Sequence, residues 1–320
     1  MYMFKYVMKR IGLMLMTFVI IMTICFFLVK MLPIVITVGI GQDKALAEAQ
    51  LRARGYYDPI IVQYFTYIKR IILYGDFGIG VTMPEFVNKP VWDSFIEMLP
   101  PTVLINVYSS LFAVPIGILL GVYAALRKNK WQDHAISTGV MVFISVPSYV
   151  TAFIVQYFIC FKLGWCPLTM NAGKDYFSWS MFRSMIPCIL SMSFGSIAGY
   201  ARFTRAELTE VLTSEYILLA RTKGLTRRQA IMRHSLRNAM VPIFPSIIAE
   251  FISVMSGSLI MEQIFSIPGV GRLYLRAINS LDYDFFMMLS GFYCLIGLLA
   301  GIVVDISYGF IDPRIRMGAK

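Results

Sequence analysis

Charge is scarce in this chain. Of its 320 residues, 15% are charged and 58% are hydrophobic, and a soluble domain of that length carries far more charge. The balance excludes a soluble fold and points to an integral membrane protein. Histidine is limited to two residues, His134 and His234, and the five cysteines show no paired spacing. A metal site and a disulfide framework are therefore not expected. No Gly-x-x-x-x-Gly-Lys-Ser/Thr occurs, so no ATP or other cofactor is expected on this chain itself. His-Glu-x-x-His, Gly-x-Ser-x-Gly and clustered cysteine pairs are missing too, which argues against an enzyme within the membrane. Internal repeats and low-complexity tracts are absent. So is a soluble module with a basic face and stacking aromatics, and the net charge of +11 reads as membrane topology and contact with anionic lipid, not nucleic-acid binding.

What is present is a series of long apolar runs, each able to span a bilayer at roughly 20 residues. They predict an all-α membrane fold of six transmembrane helices, near residues 11–32, 100–126, 135–161, 181–201, 240–261 and 285–310. Pro100-Pro101 is expected to open the second, as proline suits a helix start, and Pro147 to kink the third. Three spans carry glycines four apart, Gly117/Gly121, Gly195/Gly199 and Gly297/Gly301, a spacing that lets helices approach closely. Basic clusters at Lys5-Lys9-Arg10 and Arg127-Lys128-Lys130 put both termini in the cytoplasm. The expected division is 1–32 (N-terminal tail and first span), 33–99 (an extracytoplasmic insert) and 100–320 (the five-helix core). The insert contains an amphipathic helix with the stripe Ile61, Tyr64, Phe65, Ile68, Ile71 and Ile72, which is expected to lie against the bundle or the membrane surface.

One stretch departs from this pattern. Residues 202–242, between spans four and five, carry Arg202, Arg205, Arg221, Lys223, Arg227, Arg228, Arg233 and Arg237. Positive charge alone marks a cytoplasmic loop, but the local grammar is richer. Tyr216, Leu219, Ala220 and Lys223 share one helical face. Gly224 stands where a helix ends in a left-handed residue. Thr226-Arg227-Arg228-Gln229 restarts a helix as a capping box. The result is a bent cytoplasmic helical element suited to docking a protein.

The residues Ala220-Arg221-Thr222-Lys223-Gly224-Leu225, followed by Arg233-His234-Ser235-Leu236-Arg237-Asn238-Ala239-Met240-Val241-Pro242, resemble the coupling loop of ABC importer membrane subunits. The closer resemblance is to the B-type permease of the oligopeptide/dipeptide family. The broad importer signature begins Glu-Ala-Ala, where this chain has Leu218-Leu219-Ala220. Asp58-Pro59 with Gln63-Tyr64, Gly75-Asp76-Phe77-Gly78, the stretch Glu262 to Gly271 and the tail Ile311 to Arg316 also match that family. The resemblance implies a multi-pass protein of a bacterial or archaeal cell membrane that imports di- or oligopeptides. Nickel chelates, glutathione and oligosaccharides are the alternatives. Its implied partners are a homologous C-type permease, two ABC ATPase subunits carrying ATP and magnesium, and an extracytoplasmic solute-binding protein.

From the same resemblance, Ala220, Arg221, Lys223, Gly224, Leu225, Arg227, Arg228 and Gln229 are expected to couple to the ATPases. Glu262, Phe265, Pro268, Gly269, Gly271 and Asp76 are expected at an outer gate or binding-protein contact. Glu250 lies eight residues past Pro242, roughly 12 Å along a helix. A carboxyl at that depth must face a cavity or a partner, so it is expected either on the translocation path or in a structural hydrogen bond. An ATP-independent secondary transporter would show more ionisable residues and more broken helices within its spans. A membrane scaffold would not need the bent coupling element.

Overall fold

The computed structural model describes residues 2–33 and 44–311. The helices in chain order are α1 (Tyr2–Lys30), α2 (Lys44–Ala53), α3 (Ile60–Tyr74), α4 (Val91–Leu126), α5 (Trp131–Ser145), α6 (Ser148–Val155), α7 (Trp179–Leu212), α8 (Glu215–Thr222), α9 (Arg227–Ala230), α10 (Leu236–Ser253), α11 (Leu259–Ile264), α12 (Val270–Asn279) and α13 (Tyr283–Ile311). Wider π-helical turns extend α6 over Gln156–Lys162 and join α9 to α10 over Ile231–Ser235. The expected tail from Asp312 to Arg316 lies outside the described residues.

Among the described residues five stretches are long and apolar enough to cross a membrane, Val7–Lys30, Val91–Leu126, Trp179–Leu212, Arg228–Ser256 and Tyr283–Ser307. A sixth results if α5 and the α6 segment count as one span, and these two are bent by 102°. The expected kink at Pro147 is thus a break. Val146 takes an extended conformation (φ −80°, ψ 122°), because a following proline pushes its neighbour out of the helical region. Pro147 then serves as the cap of α6. A second correction concerns α4, which starts at Val91 and carries Pro100-Pro101 in its interior. Those prolines remove two donors from the helical ladder and do not open the helix. Residues 202–242 also hold less loop than expected. α7 runs on to Leu212 and the next apolar stretch begins at Arg228.

Contacts group the chain into two compact units, Met1–Thr102 with Ser256–Gln263 and Pro268–Leu299, and Val103–Met255 with Ile264–Ile267 and Ala300–Lys320. In the first unit, Met83, Phe86, Val91, Phe95, Val270, Leu273, Ala277, Phe285 and Leu289 form a buried cluster. α12 enters it through Val270, Leu273 and Ala277, spaced i, i+3 and i+7 along one face.

In the second unit, α7 packs on α4 where Gly117 and Gly121 lie. A Cβ on Gly117 would press on Tyr200 and the Ile197 backbone, and one on Gly121 on Ala201 and Thr204. This pair therefore provides the close approach that its spacing predicts. A Cβ on Gly195, Gly199, Gly297 or Gly301 would meet open space.

Candidate functional site

The stretch after α7 folds as its grammar predicts. Gly224 takes φ +89°, a conformation that glycine adopts without strain. The Leu225 N–H donates to the Ala220 carbonyl at 3.3 Å and the Lys223 N–H to Leu219 at 3.2 Å, closing α8. The Thr226 N–H donates to Gln229 Oε1 at 3.0 Å, and the Gln229 N–H donates to Thr226 Oγ1 at 3.3 Å. That reciprocal pair is a capping box. Ile217, Ala220 and Ala230 are buried, whereas Leu218, Leu219 and Met232 are exposed. Lys223, Gly224, Arg228 and Gln229 are exposed and Leu225 is half-buried. The side chains of Tyr216, Arg221 and Arg227 lie outside the described part of the structure. The helical face read as Tyr216, Leu219, Ala220 and Lys223 is rotated: burial falls on Ile217 and Ala220. An apolar pair thus stands open beside cations on a rigidly capped bend.

Asp133 at the start of α5 is 1% exposed. Arg205 on α7 grips it through Nη2, at 2.8 Å from Oδ2, and through Nε on Oδ1. The Asn129 N–H completes the set at 2.9 Å. Neither Asp133 nor this pairing was legible from the sequence, because the two residues are 72 positions apart.

Glu250 on α10 is half-buried, and Ser110 of α4 donates to its Oε1 at 3.4 Å. The Tyr200 hydroxyl of α7, with one proton to donate, lies within hydrogen-bonding reach of the same carboxylate and 3.2 Å from the Ser246 carbonyl. Among the described residues no basic side chain forms an ion pair with Glu250. A carboxylate held by hydroxyls is able to accept a further donor, including an amine.

In the first unit, Glu262 is 3% exposed. Its Oε1 accepts from the Thr102 hydroxyl at 2.9 Å and its Oε2 from the Arg272 N–H at 3.0 Å. Thr102 in turn accepts from the Val270 N–H at 2.9 Å. Glu262 and Thr102 thereby cap the N-terminus of α12, where free N–H groups favour an anion. A Cβ on Gly257 or Gly269 would overlap the Glu262 carboxylate, and one on Gly271 would crowd it at 3.0 Å. Burial pushes the Glu262 carboxyl up to about 7, against the lowering effect of the donors from Arg272, Thr102, Gly271 and Ser258. Gly269 and Gly271 thus make room for a carboxylate, and Pro268 is exposed. In the second unit Phe265 is 1% exposed.

Asp76 is half-exposed. It accepts from Arg70 Nε and Nη2, at 2.9 and 2.7 Å, and from the Gly78 N–H at 2.8 Å. Burial would raise its carboxyl, but the Gly78 and Arg70 donors outweigh that effect and hold it below the usual range.

Two acids missed in the sequence organise the insert. Asp282 Oδ2 accepts from the Val81 and Thr82 N–H groups at 2.8 and 2.9 Å. Asp284 Oδ2 accepts from the Tyr56 hydroxyl at 2.7 Å and from the Ile79 N–H at 3.2 Å. A pair of acids immediately before an apolar run was the available signal.

The chain thus combines several apolar helices long enough to span a membrane with a capped, exposed bend between two of them. A family model described as "Binding-protein-dependent transport system inner membrane component" matches residues 117–317, and the chain belongs to that family. It is 33% identical over 322 residues to the dipeptide transport system permease protein DppB of Bacillus subtilis (strain 168), covering 99% of each chain. It is 30% identical over 317 residues to the glutathione transport system permease protein GsiC of Escherichia coli (strain K12), covering 98% of this chain and 99% of that one. Its fold is similar to an amino acid ABC transporter (TM-score 0.51, 18% identity, 68% of this chain and 94% of that one). A similar match is found with the MetNI methionine ABC transporter in an inward-facing form (TM-score 0.52, 16% identity, 69% and 97%). The chain is a multi-pass membrane permease subunit of a bacterial ABC importer, a transport component that works with ATPase and binding-protein partners.

Proposed function

We propose that this chain forms half of the translocation path of an importer for di- and oligopeptides, paired with a homologous C-type permease. The observation that carries the substrate class is similarity along the whole chain to a dipeptide permease. Two ABC ATPase subunits carry ATP and magnesium, and no cofactor sits on this chain. They dock on the bend from Ala220 to Gln229, where Leu218 and Leu219 offer apolar contact and Lys223 and Arg228 offer charge. ATP-driven closure moves that bend, and the helices flanking it, α7 and α10, transmit the motion. Such a device is a two-state element biased by a nucleotide bound to another chain.

On this reading the bend faces the cytoplasm and the insert faces outward. Glu250 lines the path and meets the amino group of a peptide, and Pro268 with Asp76 lies on the face that receives the binding protein. Glutathione is the second substrate reading, favoured by the relative in Escherichia coli. The experiment is a pull-down of the tagged chain from mild detergent, with the co-purifying subunits identified and uptake measured with dipeptide and glutathione in competition. Recovery of a second permease and two ATPases, with ATP-dependent dipeptide uptake, is the expected result. Recovery of this chain alone, active in proteoliposomes without ATP, overturns the assignment.

A further inference from the structure

We propose that α3 is an interfacial membrane helix, with its apolar face sunk among lipid acyl chains in the leaflet at the Lys30 end of α1. The inference goes beyond the transport reading and rests only on α1 crossing the membrane.

Its two faces are sharply different. Ile61, Phe65 and Ile72, spaced i, i+4 and i+11, are 63%, 65% and 74% exposed. On the opposite side, Gln63 donates to the carbonyls of Tyr56 and Asp58 at 3.0 and 2.8 Å, and Arg70 pairs with Asp76. No residue of α3 is fully buried, and the face of Ile61, Phe65 and Ile72 is left open by the described residues of this chain.

The position of α3 identifies what covers that surface. Tyr64 Oη lies 2.7 Å from Thr23 Oγ1, and its ring stacks on Phe27 with centroids 5.5 Å apart. Tyr67 meets Phe26 at 5.4 Å. Thr23 is seven residues inside the Lys30 end of α1, roughly 10 Å along the helix. α3 is therefore held below the end of the span and not above it. Around that contact α1 leaves Val19, Ile20, Ile24 and Leu28 exposed, which is the lipid-facing surface of a transmembrane helix. The exposed face of α3 belongs to a helix that packs on this same stretch of α1. Lys69, four residues after Phe65 and exposed, stands where a lysine stem reaches from acyl chains to headgroup phosphates. A strong apolar face, a charged opposite face and a seat at this depth are the requirements of a helix lying in the interface plane.

The test reads lipid contact directly on the full chain, purified with its partner subunits and held in lipid nanodiscs. First, a membrane-soluble carbene reagent is applied to the unmodified protein and labelled peptides are mapped by mass spectrometry. Label on Ile61, Phe65 and Ile72, within about threefold of that on exposed α1 residues, is expected for a helix buried in the interface. Label on α1 with none on residues 60–74 overturns the proposal.

Second, Phe65→Cys, Ile72→Cys and Thr66→Cys are spin-labelled in a background whose five natural cysteines are serine. Collision with oxygen is expected to exceed collision with a nickel chelate by about threefold or more at 65 and 72, and the order to reverse at 66. Chelate access at 65 and 72 means an aqueous face and refutes lipid contact. Exclusion of both reagents there means that a protein partner covers the face, and refutes it equally. If the serine background fails to fold, the carbene result on the unmodified chain decides. Loss of peptide transport with unchanged labelling would count against the transport reading and leave this one standing.

Discussion

Replacing Glu262 by glutamine should flatten the dependence of stability on pH. The carboxyl is buried, caps α12 and is pushed from an ordinary 4.5 up to about 7 by that burial. The folded-state value exceeds the unfolded one, so the fold favours the protonated form. Stability from this group is complete below about pH 4.5 and falls as pH climbs towards 7, above which the curve is level. A displacement from 4.5 to about 7 is worth about 3 kcal/mol, at roughly 1.4 kcal/mol per unit. Glutamine resembles the protonated acid in shape: its carbonyl accepts from the Arg272 N–H and its amide faces Thr102.

The variant should match the natural protein within about 1 kcal/mol at pH 5, as neutral groups exchange similar hydrogen bonds. It should gain about 3 kcal/mol relative to it by pH 8. Apparent Tm in detergent, followed by circular dichroism from pH 5 to 8, reads this difference. Parallel curves for the two proteins would show that Glu262 does not titrate in this range, and the burial argument would be wrong.

Four further perturbations have definite expectations. Gly224→Ala places a side chain at φ +89° with open space around it, so backbone strain of about 1–2 kcal/mol loosens the bend; recovery of the ATPase subunits in a pull-down should drop. Asp133→Asn removes the charge gripped by Arg205 and costs about 3 kcal/mol, visible as a lowered apparent Tm. Glu250→Gln should alter transport kinetics while subunit recovery stays unchanged, and unaltered kinetics would leave Glu250 a structural role alone. Asp282→Ala strips the acceptor from the Val81 and Thr82 N–H groups, about 1–3 kcal/mol for each donor left unsatisfied; faster proteolysis within residues 76–90 is the readout.

Much of the architecture was written locally. The apolar runs gave the spans because a bilayer imposes its thickness on any helix that crosses it. The coupling bend was legible residue by residue, since Gly224, Thr226 and Gln229 act on partners no more than five positions away. Gly117 and Gly121 announced a close helix contact, although their partner was hidden. Local patterns misled where a residue has two uses. Pro100-Pro101 reads as a helix start but lies inside α4, because the helix begins with the amphipathic turns from Val91.

What tertiary structure alone decided is the setting of the acids. Glu262 stands in a stretch that reads as an exposed loop, yet its partner Thr102 is 160 positions away. Asp282 holds Val81 across 201 positions. Glu250 meets Ser110 across 140. An ionisable group is placed by whichever distant donors offset its desolvation, and sequence spacing carries no record of donors brought near by the fold.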